Sequence, residues 1–350
     1  MKTLFVISFL ILLYGAHHVE SRRHPNREPN YKLFVFGDSF VDVGNEAESE
    51  LSQRSRAWYY PYEFSDSDHD NRATGRFSND KVQSDYVVRI LGLDASPPPY
   101  RTRKSNEFDP SGENFAAAGA GVFDWPEGAP SFSTQVNQLS RLVSLGMSRT
   151  RTCRTRPRSS PSLPAATSTI STPGLAPTTW VMDLCEKVTD AIVDGVRRLQ
   201  KLGVPKVLVN AMPPIGCSPY RTFPNNRSSC EISSNADATV HNALLKQKLG
   251  DEDDVLLLDL NTLFTDIIDP KPGSALSRHR FKHKFTPCCD DTMGTNGYCG
   301  QVDSYGNPMY TLCSNPDNFF FWDYIHQTQA GWKAIMELLQ GSILDFLSPW

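Results

Sequence analysis

The sequence has little net charge, no paired-cysteine metal motif and no long apolar run after its first residues. A formal net charge of −4 over 350 residues gives no reason to expect a nucleic acid partner. No later segment approaches the about 20 apolar residues that a membrane helix needs, so no stable membrane insertion is expected. The eight cysteines include no CxxC unit, which argues against a zinc site.

A local shortage marks the middle of the chain. No Asp or Glu occurs between Glu127 and Asp183, and the interval Ser148–Trp180 contains no Asn. This interval is instead rich in Arg, Thr, Ser and Pro, a composition typical of disordered loops and unsuited to a buried strand. Because long structureless loops are uncommon inside compact domains, we treat residues 148–180 as anomalous.

The first residues have the pattern of an export signal. Lys2 precedes the apolar run Leu4–Tyr14, and polar residues follow from His17. This predicts a signal peptide over residues 1–21, removed near Ala16–Ser21, and hence a secreted, extracellular protein. The alternative is an uncleaved membrane anchor, for which the run is short.

Export favours disulfide bonds among the eight cysteines, although their pairing does not follow from the sequence. Cys217 and Cys230 bracket one loop, and four more cysteines crowd a second loop (Cys288, Cys289, Cys299, Cys313). Within the first loop, Asn226-Arg227-Ser228 is an acceptor sequence for N-glycosylation, which places Asn226 on the surface.

Hydrophobic periodicity predicts strands that alternate with helices. Short apolar runs predict strands, and apolar residues at helical spacing predict helices. The expected strands are Leu33–Phe36, Lys206–Ala211 and Val255–Leu260; the expected helices are Lys81–Leu91, Gln135–Leu145, Val181–Leu202, Asn235–Leu249 and Thr328–Phe346. Alternation of this kind predicts one α/β domain, residues 30–350, with a parallel sheet covered on both faces. Reactive groups in such sheets gather at the carboxyl ends of the strands.

The segment Phe34–Asn45 places Ser39 at such an end. An apolar strand leads into Gly-Asp-Ser, and Asp42 and Gly44-Asn45 follow at fixed offsets. The triplet alone would fit an ordinary turn. The extended pattern resembles the first block of the plant GDSL esterase/lipase family, or SGNH hydrolases, in which the serine is the nucleophile and its N–H helps to hold the oxyanion.

A second block, Phe321–Thr328, contains Asp323 and His326 three residues apart. In this spacing the carboxylate can orient the imidazole, which can take a proton from a serine hydroxyl. An isolated Asp-x-x-His would equally suit a structural ion pair. The segment resembles the last block of the same family, which implies a catalytic Asp323 and His326.

A third block, Asn114–Gly121, resembles the family segment that supplies an oxyanion glycine, which falls on Gly119. Glycine leaves room for the substrate oxygen to approach its N–H. Asp38, Asp42 and Asn45 are expected to support the Ser39 turn. The resemblance implies a three-layer α/β/α sandwich with a central parallel sheet of about five strands. It also implies hydrolysis of a carboxylic ester through an acyl-enzyme, with no metal or organic cofactor.

One family element is missing. The resemblance calls for a central strand ending in Gly-x-Asn or Gly-Asn, whose Asn is the third oxyanion donor, and residues 148–180 offer none. Shifted by one base, the codons for Ser159–Pro164 can encode an apolar and small-residue strand, and those following Ala165 can encode Gly-Asn. We therefore hypothesise a compensated frameshift or a mis-set exon boundary. The alternative is a genuine insertion that replaced the strand.

Two other functions stay open. A genuine insertion would favour a catalytically impaired secreted protein without the oxyanion Asn. A cell-wall carbohydrate acetylesterase is the second alternative, because aromatic residues at Trp58, Tyr59, Tyr60, Tyr62 and Trp125 could stack on sugar rings. A packing cluster would explain the same aromatics.

Overall fold

Five strands form the central sheet, in the order β3-β2-β1-β4-β5. The structure is a computed structural model that describes residues 9–15, 31–65, 72–104, 108–124, 128–145, 178–270, 281–291 and 297–348. The strands are β1 (Phe9–Gly15), β2 (Tyr31–Phe36), β3 (Gly112–Asn114), β4 (Lys206–Asn210) and β5 (Val255–Leu258).

Both faces of this sheet are buried, as the alternation of side chains along β2 makes clear. Leu33 and Val35 pack into one apolar core, whereas Phe34 and Phe36 pack into the other. Successive side chains of a strand point to opposite faces, so a strand between two helical layers is apolar at every position. This explains why the buried part of β2, residues 33–36, is a continuous apolar run in the sequence.

Helices cover each face. The described α-helices are α1 (Gln83–Ile90), α2 (Phe132–Ser144), α3 (Thr178–Lys201), α4 (Pro219–Thr222), α5 (Ile232–Leu249), α6 (Leu260–Ile268) and α7 (Gln329–Leu347). Helices α1, α6 and α7 contribute to the core that contains Leu33, and α2, α3 and α5 to the core that contains Phe34. All five helices expected from the sequence are present within a few residues of their predicted bounds, while α6 and the single-turn α4 were not predicted.

The expectation of an all-parallel sheet is wrong at its middle strand. The pairs β2–β3 and β4–β5 are parallel, but β1 runs antiparallel to both β2 and β4. Leu10 lies opposite Phe36 on one side, and Leu13 lies opposite Lys206 on the other. An apolar run suits a position that is enclosed by strands at both edges and by helices on both faces.

Strand β1 comes from the segment predicted to be an export signal. Cleavage near Ala16–Ser21 would remove Phe9–Gly15 and leave β2 and β4 without a shared neighbour. The anomalous interval was expected to supply the missing central strand. As far as residue 177, it lies outside the residues that the structure describes. The chain beyond it is regular again, beginning with α3.

Three disulfide bonds close the loops on the outer part of the molecule: Cys217–Cys230, Cys288–Cys313 and Cys289–Cys299. The last two brace a small antiparallel sheet of β6 (Cys289–Asp291) and β7 (Tyr310–Leu312). Disulfides rather than zinc therefore account for the cysteine-rich loop. Of the cysteines that the structure describes, Cys185 alone is unpaired, and it is buried.

None of the described helices combines the length and the apolar character needed to cross a bilayer. Nor do the described residues include a cluster of three or more His, Cys, Asp or Glu side chains that could hold a metal ion.

Candidate active site

Ser39 lies three residues beyond the end of β2, in a loop fixed by backbone hydrogen bonds. The carbonyl of Asp38 accepts from the N–H groups of Val41 and Asp42, at 3.2 and 3.0 Å. The side chain of Asp38 accepts from the N–H of Phe40 at 3.0 Å. Burial raises the pKa of Asp38 well above its usual value, against the Phe40 hydrogen bond and with a smaller contribution from nearby Asp42. Asp38 is thus bonded through both its carbonyl and its side chain to the backbone that follows Ser39.

A glutamine from α2 holds the entry to this loop. Gln135 accepts a hydrogen bond from the N–H of Gly37 at 2.8 Å and donates one to the carbonyl of Gly37 at 2.9 Å. Gly37 has φ of 141°, a backbone conformation that side-chain-bearing residues rarely adopt. The loop that carries Ser39 is therefore tied to α2 at its first residue.

The structure brings Ser39, Asp323 and His326 together across most of the chain. His326 Nε2 lies 2.8 Å from Ser39 Oγ, and His326 Nδ1 lies 2.8 Å from both carboxylate oxygens of Asp323. Asp323 Oδ1 also accepts from the N–H groups of Ile325 and His326. The turn ends where Thr328 caps α7 by accepting from the N–H of Gly331. In this order the three groups can pass a proton from the serine hydroxyl to the imidazole.

Charges at this site favour an ionised Asp323 and a neutral His326. Burial acts to raise the pKa of Asp323, but His326, then Arg56 and the hydrogen bonds outweigh it and hold that pKa well below its usual value. Burial lowers the pKa of His326 below 6.5, against the attraction of Asp323 and with help from Arg56. A neutral imidazole next to a serine hydroxyl is the form that accepts a proton.

Gly119 lies in a loop attached to the Ser39 loop. Beyond β3, the N–H of Phe115 donates to Val35 and that of Ala117 to Gly37, at 2.7 and 3.1 Å. Gly119 has φ of 78°, and an added Cβ would meet no atom of the described residues within 4 Å beyond its chain neighbours. Its left-handed backbone favours glycine here, and the described residues leave the space beside it open.

Asp42 and Asn45 connect these two loops, a wider role than bracing the Ser39 turn. Asp42 is fully buried and accepts four backbone hydrogen bonds, from Gly44, Asn45, Glu46 and Ala118. Burial raises its pKa to about 6, although the same N–H groups oppose the shift. Asn45 donates to the carbonyls of Asn114 and Ala116, at 2.6 and 2.8 Å.

No described asparagine around these loops is free to replace the missing oxyanion donor. These asparagines are Asn45, Asn79, Asn114 and Asn210. The Nδ2 of Asn45 is engaged as above, that of Asn79 donates to Ser65 and that of Asn114 donates to Val41. Asn210, at the end of β4, exchanges two hydrogen bonds with Gln83. Among the residues that the structure describes, these amide groups are thus engaged by protein partners.

Arg56 and Gln135 are site residues that the sequence did not predict, and Tyr62 was predicted only as a candidate for stacking on sugar rings. Tyr62 and Arg56 both bond to Asp323, and all three are buried. Tyr62 is 1 % exposed, so it belongs to a packing cluster and offers no surface to a sugar ring, whereas Tyr60 is 64 % exposed. No local pattern marks these residues, because their partners are distant along the chain.

The chain is similar to known proteins over most of its length. The family model described as GDSL-like lipase/acylhydrolase matches residues 33–151 and 177–339, leaving out 152–176. GDSL esterase/lipase At3g09930 of Arabidopsis thaliana is 31% identical over 96% of this chain and 95% of its own length. GDSL esterase/lipase At5g03600 of the same plant is 32% identical over 93% of this chain and 97% of its own. Similarity of this extent covers the Ser39 loop and the Asp323–His326 turn alike.

Proposed function

Because the chain belongs to the GDSL lipase/acylhydrolase family and is a carboxylic ester hydrolase, we propose that it acts through an acyl-enzyme on Ser39. The observation that carries this proposal is the 2.8 Å contact between Ser39 Oγ and His326 Nε2, with Asp323 on the opposite side of the imidazole. A serine hydroxyl needs an adjacent base to become a nucleophile, and His326 is that base.

The reaction has two halves. His326 removes the proton of Ser39 as Oγ attacks the ester carbonyl, and the tetrahedral intermediate collapses with the alcohol taking the proton back from His326. Water, deprotonated by His326, then attacks the acyl carbonyl. The bond between the acyl group and Ser39 Oγ breaks, Oγ takes the proton from His326, and the acid is released. Asp323 keeps Nδ1 protonated throughout, so that Nε2 stays available to Ser39.

The backbone N–H groups of Ser39 and Gly119 stabilise the oxyanion in this proposal. Hydrogen bonds joining Phe115 to Val35, Ala117 to Gly37 and Ala118 to Asp42 support it, because they fix the Gly119 loop beside the Ser39 loop. The left-handed turn at Gly119 and its open surroundings fit a donor that must face a substrate oxygen.

The third donor is proposed to belong to the anomalous interval in its restored reading frame. Two observations support a frame error within residues 148–180. The family match is interrupted over 152–176, and the sheet position between β2 and β4 is filled by an antiparallel strand from the N-terminus. If the interval is a genuine insertion, the protein lacks one oxyanion donor, and losing one typically lowers turnover by about a hundredfold to a thousandfold.

Secretion is the proposed localisation. The N-terminal apolar run and the three disulfide bonds support it, since disulfides persist in oxidising compartments. Asn226 is exposed at a turn with φ of 58°, which is consistent with its proposed glycosylation. The remaining fine feature of the fold, a parallel strand in the middle of the three-layer sandwich, is likewise proposed for the mature protein with its frame restored.

We propose lipid-like esters as the substrate class. Tyr220 is 48 % exposed, its N–H donates to the carbonyl of Tyr324, and the two rings lie 6.2 Å apart. Tyr324 directly follows Asp323, so this pair forms an aromatic rim on the turn that carries the proposed catalytic groups. Exposed aromatic surface of this kind suits an apolar acyl or alcohol group.

The test measures hydrolysis of p-nitrophenyl esters of increasing acyl length, and of acetylated xylan, by the wild-type protein and by Ser39→Ala. We expect hydrolysis of acyl esters that Ser39→Ala loses while its melting temperature stays unchanged. Full activity in a folded Ser39→Ala protein would refute the proposed mechanism. Release of acetate from xylan without cleavage of longer esters would favour the carbohydrate acetylesterase instead.

A further inference from the structure

Two buried side chains donate hydrogen bonds to Oδ2 of Asp323. Tyr62 donates its hydroxyl to Asp323 Oδ2 at 2.8 Å, and Arg56 Nη2 donates to the same oxygen at 3.1 Å. Arg56 Nε also donates to the Tyr62 oxygen at 2.6 Å, which closes a triangle of hydrogen bonds. Oδ1 is meanwhile occupied by the backbone of Ile325 and His326.

Burying these charged groups costs free energy of desolvation unless each group is fully paired. Arg56 is 3 % exposed, Tyr62 is 1 % exposed and Asp323 is fully buried. A buried guanidinium must be paired and hydrogen-bonded, and Arg56 meets this condition with Asp323, Tyr62 and the carbonyl of Gln53. Its guanidinium also lies over the ring of Phe77, at 4.8 Å.

The ring of Phe77 also packs against the imidazole of His326. Its centroid lies 4.8 Å from that of the His326 imidazole, so Arg56 and His326 contact the same aromatic residue. A positive charge at this location disfavours a second positive charge on His326.

We propose that Arg56 and Tyr62 are positioning residues for ester hydrolysis: together they fix Asp323 through Oδ2 and keep His326 in the neutral, correctly oriented form. This inference rests on the catalytic roles proposed for Ser39, Asp323 and His326. Arg56 and Tyr62 act through Asp323 and do not touch the reacting atoms.

Among the described residues around His326 and Asp323, Arg56 is the group that carries a positive charge. The charged and titratable groups there are Ser39, Arg56, Tyr62 and Tyr324, with Asp38 and Asp42 on the Ser39 loop. Both carboxyls of that loop bond to backbone N–H groups. Burial raises the pKa of Tyr62 well above its usual value, so it stays a neutral donor. Arg56 lowers the pKa of His326, in addition to the larger effect of burial.

The experiment compares Arg56→Gln, Arg56→Lys and Tyr62→Phe with the wild type by the pH dependence of kcat/KM. Arg56→Gln removes the charge, so its acid limb should move to higher pH by about one unit. Its plateau should fall about tenfold, the effect of one lost charge-assisted hydrogen bond. Arg56→Lys keeps the charge, so its plateau should fall while its acid limb stays in place.

A matched control separates this role from general stability. Arg227 makes a paired contact with Asp290, with distances of 2.5 and 2.6 Å, so Arg227→Gln also breaks a partly buried ion pair. We expect Arg227→Gln to lower the melting temperature without moving the acid limb. Equal acid limbs in the wild type and Arg56→Gln, or an equal displacement in Arg227→Gln, would overturn the proposal.

Tyr62→Phe keeps the proposal testable if Arg56→Gln does not fold. It removes one hydroxyl from Asp323 Oδ2, and we expect a lower kcat at unchanged KM; an unchanged kcat would refute the role of Tyr62. Ser39→Ala distinguishes the two levels of failure. An active Ser39→Ala protein refutes the proposed function, whereas an inactive one beside an unaltered Arg56→Gln profile refutes only the positioning role.

Discussion

The carboxylate of Asp42 accepts a hydrogen bond of 2.8 Å from the backbone N–H of Ala118, which lies 76 residues further along the chain. This bond joins the loop that carries Ser39 to the loop that carries Gly119. The two loops follow neighbouring strands, β2 and β3, whose parallel pairing already places their ends at the same edge of the sheet.

Replacing Asp42 by alanine should therefore weaken both folding and catalysis. It removes the acceptor of four backbone N–H groups in a buried region, and buried donors left unpaired cost about 1–3 kcal/mol each before the structure relaxes. We expect a loss of about 3 kcal/mol in the free energy of unfolding, measured with urea, and a lower kcat. Asp194→Ala, on the exposed side of α3, is the control that should change neither.

Gly119→Ala should lower kcat through backbone strain alone. The left-handed φ of 78° costs a residue with a Cβ about 1–2 kcal/mol, while none of the described residues would clash with the added methyl group. We expect a drop in kcat of about tenfold or more as the N–H turns away from the oxyanion. Gly121→Ala, two residues on, lacks the left-handed φ and should remain active; equal effects at both positions would contradict this explanation.

Activity should be lost on acidification below the ordinary titration range of histidine. Burial, aided by Arg56, lowers the pKa of His326 below 6.5, and the neutral imidazole is the active form. As the pH falls through that lowered pKa, His326 takes up a proton and can no longer accept one from Ser39. A profile of kcat/KM from pH 4 to 9 should have its acid midpoint below 6.5, and a midpoint above 7 would contradict the assignment.

The central strand should decide whether the mature protein folds. A chain beginning at Arg22 lacks β1, which leaves β2 and β4 with unpaired edges, and exposed apolar edges promote aggregation. We expect this chain to aggregate with residues 148–180 as they stand. The same chain with the frame-restored sequence in that interval should be monomeric and active by size-exclusion chromatography and ester hydrolysis.

Sequencing the transcript across the codons for Met147–Asp183 decides the frame directly. A soluble, active protein with the unaltered interval would refute the frame-error proposal.

Local patterns predicted much of this protein. Five of the helices and three strands followed from hydrophobic spacing, because each is amphipathic or apolar over its own length. The Ser39 loop and the Asp323–His326 turn were likewise recognisable, since each is specified by residues that are close together in sequence. The 2.8 Å distance between Ser39 Oγ and His326 Nε2 depends on the tertiary fold. It could still be anticipated, because a nucleophilic serine requires a base.

Long-range pairing accounts for what the sequence could not predict. Tyr62 reaches Asp323 across 261 residues, and Gln135 reaches Gly37 across 98. A tyrosine in an aromatic stretch or a glutamine in a helix carries no mark of such a partner. The antiparallel β1 was missed because its composition equally fits an export signal, and an apolar run alone does not reveal where it pairs.

The most direct test of the central claim is to locate a covalent adduct. The folded protein would be treated with a fluorophosphonate, which phosphonylates an activated serine, and the modified peptide identified by mass spectrometry. We predict a single adduct on Ser39 that disappears in His326→Ala, because the hydroxyl reacts only with its base in place. A folded, ester-hydrolysing protein that carries no adduct on Ser39, or carries it on another serine, would contradict the account.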